Sequence, residues 1–330
     1  MSGPGRALVT GGHGFVGSHL AAALLDEGWA VRVLDRPSPR RTDLGGPRPS
    51  GLELLGVSAE VELHEADLLD AGEVASAVGD CEAVFHLAAQ TIVSIASRSP
   101  RETYEVNVRG AWNVFEACRE QEVPTVLFAS SDKAYGTAPE LPYREDFPLR
   151  GAYPYDASKA AADMIARGYA VSSGLPLAVT RFANVYGGGD LNFTRLIPET
   201  ARALCEGRAP QIRSDGSPKR DFIHVEDAVA AYLAIAAALR SGAAAPGEAF
   251  NAGGEVPHSV REVVEELARA AGGTGMAPSW GPGVPAGEIV DQYLDSAKLR
   301  ELTGWAPRVG LPEGLARTLE WYRDHPEVLP

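Results

Sequence analysis

Residues 6–20 read RALVTGGHGFVGSHL: a short apolar run, a turn with glycines at 11, 14 and 17, then a segment with helical spacing. Glycines so placed let a chain turn sharply out of a strand and approach a pyrophosphate, whose charge the N–H groups of the following helix can meet. Gly11, Gly14, Phe15, Val16 and Gly17 are therefore candidate phosphate-binding residues, although the same glycines also suit a tight strand–helix turn that holds nothing. The next apolar run, AVRVLD, ends on Asp35, close to the ~20-residue interval at which a carboxylate can bind both ribose hydroxyls of NAD. A 2′-phosphate would meet that carboxylate badly, which favours NAD over NADP, while the adjacent Arg36 weakens the preference. EADLLD puts Asp67 and Leu68 at the end of a third strand, where they suit an adenine; the aspartate equally suits a helix cap.

Working outward, apolar runs (RALVT, AVRVLD, VELHEAD, EAVFHLAA, TVLFASS, LAVTRFANVYG) alternate with helical segments at 15–27, 72–78, 100–120 and 156–172. Such alternation predicts right-handed crossovers and an α/β fold of the Rossmann type, a doubly wound parallel sheet covered on both faces. Past residue 186 the rhythm loosens into loops, helices at 195–206, 226–239 and 259–271, and a Gly/Pro-rich link, SWGPGVPAGE. The expected division is 1–186 for the dinucleotide-binding domain and 187–330 for a smaller C-terminal region capping the sheet, from which the chain can cross back. RPSPRRTDLGGPRPS (36–50) is expected to be a mobile surface loop.

The 330 residues carry a net charge of −14, so a nucleic-acid partner is not expected. Cys81, Cys118 and Cys205 form no C-x-x-C pair and read as small apolar residues in a reducing compartment. Without an apolar signal core or a run near the ~20 residues that span a bilayer, a cytoplasmic protein away from membranes is expected. The seven histidines show no H-x-x-x-H or carboxylate companion, so no metal is expected; His13, His224, Trp280, Trp305 and Trp321 read as structural.

T-G-x-x-G-x-x-G (10–17), HLAAQ (86–90), SSDKAYG (130–136), Tyr155-x-x-x-Lys159 and the closing DSAKLRELTGWAPRVGLPEGLARTLEWYR, in this order, resemble the extended short-chain dehydrogenase/reductase family, the nucleotide-sugar epimerases and dehydratases. The resemblance runs nearly end to end. It implies bound NAD, with Leu87, Ala88 and Ala89 beside it, a nucleotide-sugar substrate, a C-terminal region that binds it, and a homodimer formed through the helices at 100–120 and 156–172.

A phenol titrates near 10 and is a poor base unless a cation stabilises the phenolate. Four residues of helix bring Lys159 onto the face of Tyr155, so Tyr155 can take a hydroxyl proton as hydride leaves, with Lys159 lowering its pKa and holding the nicotinamide ribose. The family pattern makes Ser131 the hydroxyl that shares the substrate oxygen. Asp132 and Lys133 resemble the acid and base that follow this serine in the 4,6-dehydratases, with the Asp-Lys order similar to CDP-glucose 4,6-dehydratases; an ion pair that only shapes the pocket is the alternative. NVYGGGD, R-x-x-P and an IR strand extend that likeness and imply that Asn184 and Arg220, with Arg213 nearby, hold the diphosphate; either arginine could instead lie at the surface. GPGVPAGEIVDQY departs from the family by lacking an arginine before its turn. The expected activity is a nucleotide-sugar 4,6-dehydratase, with a 4-epimerase as the nearest alternative and a silent NAD-binding regulator as the reading from another class.

Overall fold

Ala7, Leu8 and Val9 in the first strand are wholly inaccessible to solvent, as expected of a parallel strand sandwiched between helical layers. The computed structural model describes residues 4–37, 40–42, 45–273, 277–284 and 289–329. Seven strands form its central sheet: β1 (Arg6–Thr10), β2 (Ala30–Asp35), β3 (Glu62–Glu65), β4 (Ala83–His86), β5 (Val126–Ala129), β6 (Leu177–Phe182) and β7 (Ala249–Ala252). All pairings are parallel and the order is β7-β6-β5-β4-β1-β2-β3. The chain winds from β1 towards β3 on one side and resumes at β4 on the other, so the crevice between the ends of β1 and β4 is the topological switch point where doubly wound sheets bind ligands.

The two-residue period of β1 divides the interior. Ala7 and Val9 join an apolar cluster with Leu20 and Leu24 of α1 (Phe15–Asp26), whereas Leu8 joins Val74 of α2 (Ala71–Val78), Phe115 of α3 (Gly110–Glu120) and Ala162 of α4 (Pro154–Ser173) on the opposite face. A third cluster lies outside the sheet, where Ile197 of α5 (Leu196–Cys205), Leu267 of α7 (Val260–Ala270) and Leu319 of α8 (Leu311–Asp324) pack together. Between α5 and α7, the helix α6 (Val225–Arg240) leads the chain back to β7, which pairs with β6 in the register Ala249↔Val179.

Three segments depart from the sequence pattern. The helix expected over 100–120 contains a π-type turn at Glu105–Arg109. It turns Asn107 inward, where the amide donates to Gln90 O at 3.0 Å and Ser158 Oγ at 2.9 Å and accepts from Gln90 N at 2.7 Å. The run at 177–187 is two strands, because after Ala183 the chain leaves the sheet and Asn184–Tyr186 pairs with Phe222–His224. In the segment read as a loop, 40–42 pairs antiparallel with 45–48; 38–39 and 43–44 lie outside the described residues. No helix among the described residues is long and apolar enough to cross a membrane.

Candidate active site

The glycine turn fits a dinucleotide because it has no room for side chains. Gly11 has φ +79° and donates from N to Leu34 O at 2.9 Å; a Cβ there would lie 2.9 Å from the Ala88 backbone. A Cβ on Gly17 would sit 2.3 Å from Gly11 O. The turn thus presses against both the second residue after β4 and the start of α1, leaving the first helical N–H groups, from Phe15 and Val16, without intrahelical acceptors. Asp35 is buried at the tip of β2 and accepts from His13 N at 3.1 Å and Arg36 N at 2.8 Å, which ties the carboxylate to the phosphate turn. Thr10 Oγ1 accepts from Ala88 N at 3.1 Å and pairs with His86 Nδ1 at 2.7 Å, setting Leu87, Ala88 and Ala89 across the same crevice. Leu68 is buried under Gly110, whereas Asp67 is exposed and caps its own turn through Leu69 N at 2.9 Å. These residues would cradle the pyrophosphate and a ribose of NAD.

On the far side of the switch point, α4 starts two residues earlier than its apolar spacing suggests, with Pro154 at the first turn. Tyr155 and Lys159 therefore both lie inside the helix, 9% and 4% exposed. Lys159 Nζ donates to Ala129 O at 2.9 Å at the end of β5, and burial lowers its pKa to about 8. Burial, with Lys159 contributing, pulls His86 down to about 3, so this imidazole is neutral. For Tyr155 the outcome differs from the expectation: burial pushes the phenol well above the ordinary tyrosine range, opposed by a hydrogen bond with Ser131 and reinforced by Asp132 and Asp156. No hydrogen bond joins Lys159 to the phenol among the described residues.

Ser131 caps the short 3₁₀ turn Asp132–Tyr135, accepting from Lys133 N at 3.2 Å and donating to Asp132 Oδ1 at 3.1 Å. Asp132 is 4% exposed, its Oδ2 has no partner among the described residues, and burial raises its pKa against the fields of Lys133 and Arg220. Lys133 Nζ reaches Gln292 Oε1 at 3.5 Å, while the Nε2 of this fully buried glutamine has no partner among the described residues. Asp156 is 5% exposed and pushed up to about 6 by burial, against Lys133.

The predicted diphosphate ligands divide. Asn184 Nδ2 donates to Asp221 O at 3.2 Å, and Arg220 donates to the carbonyls of Lys219, Ile289 and Val290 while its charge reaches Asp132. Arg213 is exposed, and no contact links it to this cluster among the described residues. The turn that lacks the family arginine includes 285–288, outside the described residues. Arg195, in the quoted R-x-x-P stretch but given no role from sequence, pairs with Asp190 Oδ2 at 2.5 Å and acts on Tyr155. Asp156 carried a signal only in its place beside Tyr155, and Gln292 carried none: it follows the Gly/Pro-rich link and is brought in by the bond from its N to Lys219 O at 3.0 Å.

Known proteins resemble the chain along nearly its whole length. Residues 7–253 match the NAD dependent epimerase/dehydratase family. The chain is 35% identical to a UDP-glucose 4-epimerase of Mycolicibacterium smegmatis over 97% of its length and 99% of the relative's. It is 31% identical to a dTDP-glucose 4,6-dehydratase of Streptomyces griseus, over 96% and 94% of the two chains. A dTDP-glucose 4,6-dehydratase of Streptomyces venezuelae, solved with NAD bound, superposes with a TM-score of 0.85 at 29% identity, over 98% of each chain. With a glycine cradle shaped for a dinucleotide, and likeness along nearly its whole length to enzymes of one kind, the chain belongs to the NAD dependent epimerase/dehydratase family.

Proposed function

We propose that the protein is a nucleotide-sugar 4,6-dehydratase. The observation that carries the reading is Asp132: a buried carboxyl with a raised pKa and a vacant Oδ2, hydrogen-bonded through Ser131 to the same hydroxyl network as Tyr155. A 4-epimerase has no use for such an acid, whereas loss of a C6 hydroxyl does. Bound NAD supplies the hydride acceptor for C4 and the donor for C6. With NAD bound, its cationic nicotinamide and Lys159 would favour the tyrosinate, so that Tyr155, with Ser131, takes the C4 hydroxyl proton, and Lys159 would hold the nicotinamide ribose. Asp132, whose protonated form its burial favours, gives its proton to the departing C6 hydroxyl, and Lys133 stands in the position that resembles the family's base. Asn184 and Arg220 are the proposed diphosphate ligands, with Arg213 at the outer edge.

The second reading, a 4-epimerase, is favoured by the 35% identity to the mycolicibacterial enzyme. Incubation with CDP-, dTDP- and UDP-glucose decides between them by product mass and NMR. A dehydratase releases water and leaves a 4-keto-6-deoxy sugar, and Asp132→Asn should abolish that product; an epimerase leaves the mass unchanged. The division of the chain at residue 186, a cytoplasmic location and a homodimer belong to the same proposal. Pairing of two subunits is supported by Trp112 on α3 and Met164 on α4, which expose apolar surface on the helices expected to meet.

A further inference from the structure

Two buried polar atoms at the Asp132 end of the site, Asp132 Oδ2 and Gln292 Nε2, have no hydrogen-bond partner among the described residues, and the carboxyl of Asp156, 5% exposed, lies at the same end. Asp156 stands in the first turn of α4, immediately after Tyr155, and no hydrogen bond or ion pair joins its carboxyl to another residue among the described residues. Its charge acts on Lys133, Asp132, Tyr155 and Tyr143, which places it among the residues of the reaction site and not on the outer face of α4. Buried polar groups are ordinarily satisfied, so two orphaned ones beside the Asp156 carboxyl mark the seat of a polyhydroxylated ligand.

Lys133 is ill suited to remove a proton from carbon here. Its Nζ is directed at the Gln292 carbonyl oxygen at 3.5 Å, and a nitrogen donating there has no lone pair turned to a carbon acid. Asp156 is already a base when ionised. Resting on the dehydratase reading, we propose that Asp156, not Lys133, is the group that takes the proton from C5 of the hexose. With C4 at the ketone level, the Asp156 carboxylate removes the C5 proton; the released pair forms the C5–C6 double bond as the C6–O bond breaks. Asp132 protonates the departing hydroxyl, which leaves as water. The proton on Asp156 exchanges with solvent while the C5–C6 double bond stands, and when C6 receives its hydride Asp156 delivers a solvent-derived proton to C5. Asp132 recovers its proton from Tyr155 through Ser131, which is hydrogen-bonded to both. Each side chain then ends the cycle as it began it. The pair follows a general pattern in which two carboxyls in one site are held in opposite protonation states.

The test is turnover of CDP-, dTDP- and UDP-glucose in D2O by the NAD-loaded enzyme. C4 oxidation is followed by the absorbance of reduced nicotinamide, and C5 deuteration by NMR. Asp156→Asn should still oxidise C4 while water loss and C5 deuteration fall roughly 10²–10⁴-fold; Asp156→Glu, which keeps a carboxylate, should recover part of both. Lys133→Met should slow turnover with deuterium still entering C5. Deuteration at the wild-type rate in Asp156→Asn, or its loss in Lys133→Met alone, overturns the proposal. Wild-type enzyme that releases no water from any of the three sugars refutes the dehydratase reading itself, an outcome distinct from water loss that proceeds without Asp156.

Discussion

Arg181 in β6 and Asp163 in α4 form a two-pronged ion pair, Nε to Oδ2 at 2.8 Å and Nη2 to Oδ1 at 2.9 Å, with neither side chain exposed. Arg181 Nη1 also donates to Tyr135 Oη at 3.0 Å, and Tyr135 in turn donates to Asn251 Oδ1 at 2.8 Å in β7. One guanidinium thus joins the helix that carries Tyr155 and Lys159, the turn that carries Asp132 and Lys133, and the edge of the sheet. The pair holds Asp163 one turn beyond Lys159 on α4, which fixes the helix against the strand that it must face.

Breaking this pair from one side should be costly. Asp163→Ala leaves a buried guanidinium uncompensated, for which a loss of about 3–5 kcal/mol is expected. Urea unfolding would measure it. A loss below about 1 kcal/mol would mean that water or a neighbouring carbonyl replaces the carboxylate, and that α4 is held by its apolar face alone.

At Gly11 the constraint is on the backbone. A side chain must adopt φ +79° and also intrude on Ala88, so Gly11→Ala should displace the phosphate turn. The left-handed conformation alone costs about 1–2 kcal/mol, which corresponds to NAD binding weakened by roughly ten-fold or more. Calorimetric titration with NAD measures this directly. Unchanged affinity would show that the turn is not where the pyrophosphate sits.

Tyr155 gives a prediction opposite to what its spacing from Lys159 suggests. Without cofactor, burial outweighs every favourable charge around the phenol, so it should stay protonated beyond the ordinary tyrosine midpoint near 10. Ultraviolet difference titration of the wild type against Tyr155→Phe isolates this group, and a tyrosinate signal appearing below neutral pH would contradict the structure. In the same variant, turnover should fall roughly 10²–10⁴-fold with NAD affinity retained.

These cases show which parts of the molecule could be read from the chain. The glycine turn, Asp35 and the Tyr155/Lys159 pair are local patterns whose geometry follows from a strand, a turn and a helix, and the alternating apolar runs gave the strand order its parallel character. Gln292 was illegible because its place depends on a pairing with Lys219 across more than 70 residues of chain. The break at Ala183 was hidden for the same reason: LAVTRFANVYG carries no turn signal before Gly187, and only the distant Phe222–His224 strand draws its second half out of the sheet. The π-type turn at Glu105–Arg109 turns Asn107 towards Gln90 and Ser158, contacts that no helical periodicity encodes. The direction of the Tyr155 shift depended on burial, which spacing between two residues does not report.

Asp156 connects stability to pH in a way that separates it from its neighbours. Its carboxyl titrates at about 6 when folded against an ordinary 3.8, so between these values the folded protein binds a proton that the unfolded chain has released. The stability associated with this group is therefore fully present below about pH 4 and is lost as pH rises through 6, by roughly 3 kcal/mol at most. Asparagine cannot ionise and avoids that loss. Asp156→Asn should accordingly match the wild type near pH 4 and become the more stable protein above pH 6, with the difference constant from pH 7 upward. Comparing the two proteins at each pH cancels other groups to the extent that removing Asp156 leaves their titration unchanged; Lys133 and Asp132, coupled to it directly, are the exceptions to check with Lys133→Met as a background. Denaturant midpoints for the pair across pH 4–8 measure the effect, and a difference that did not change with pH would mean that the Asp156 carboxylate is solvated, which would also remove the physical basis for its role at C5.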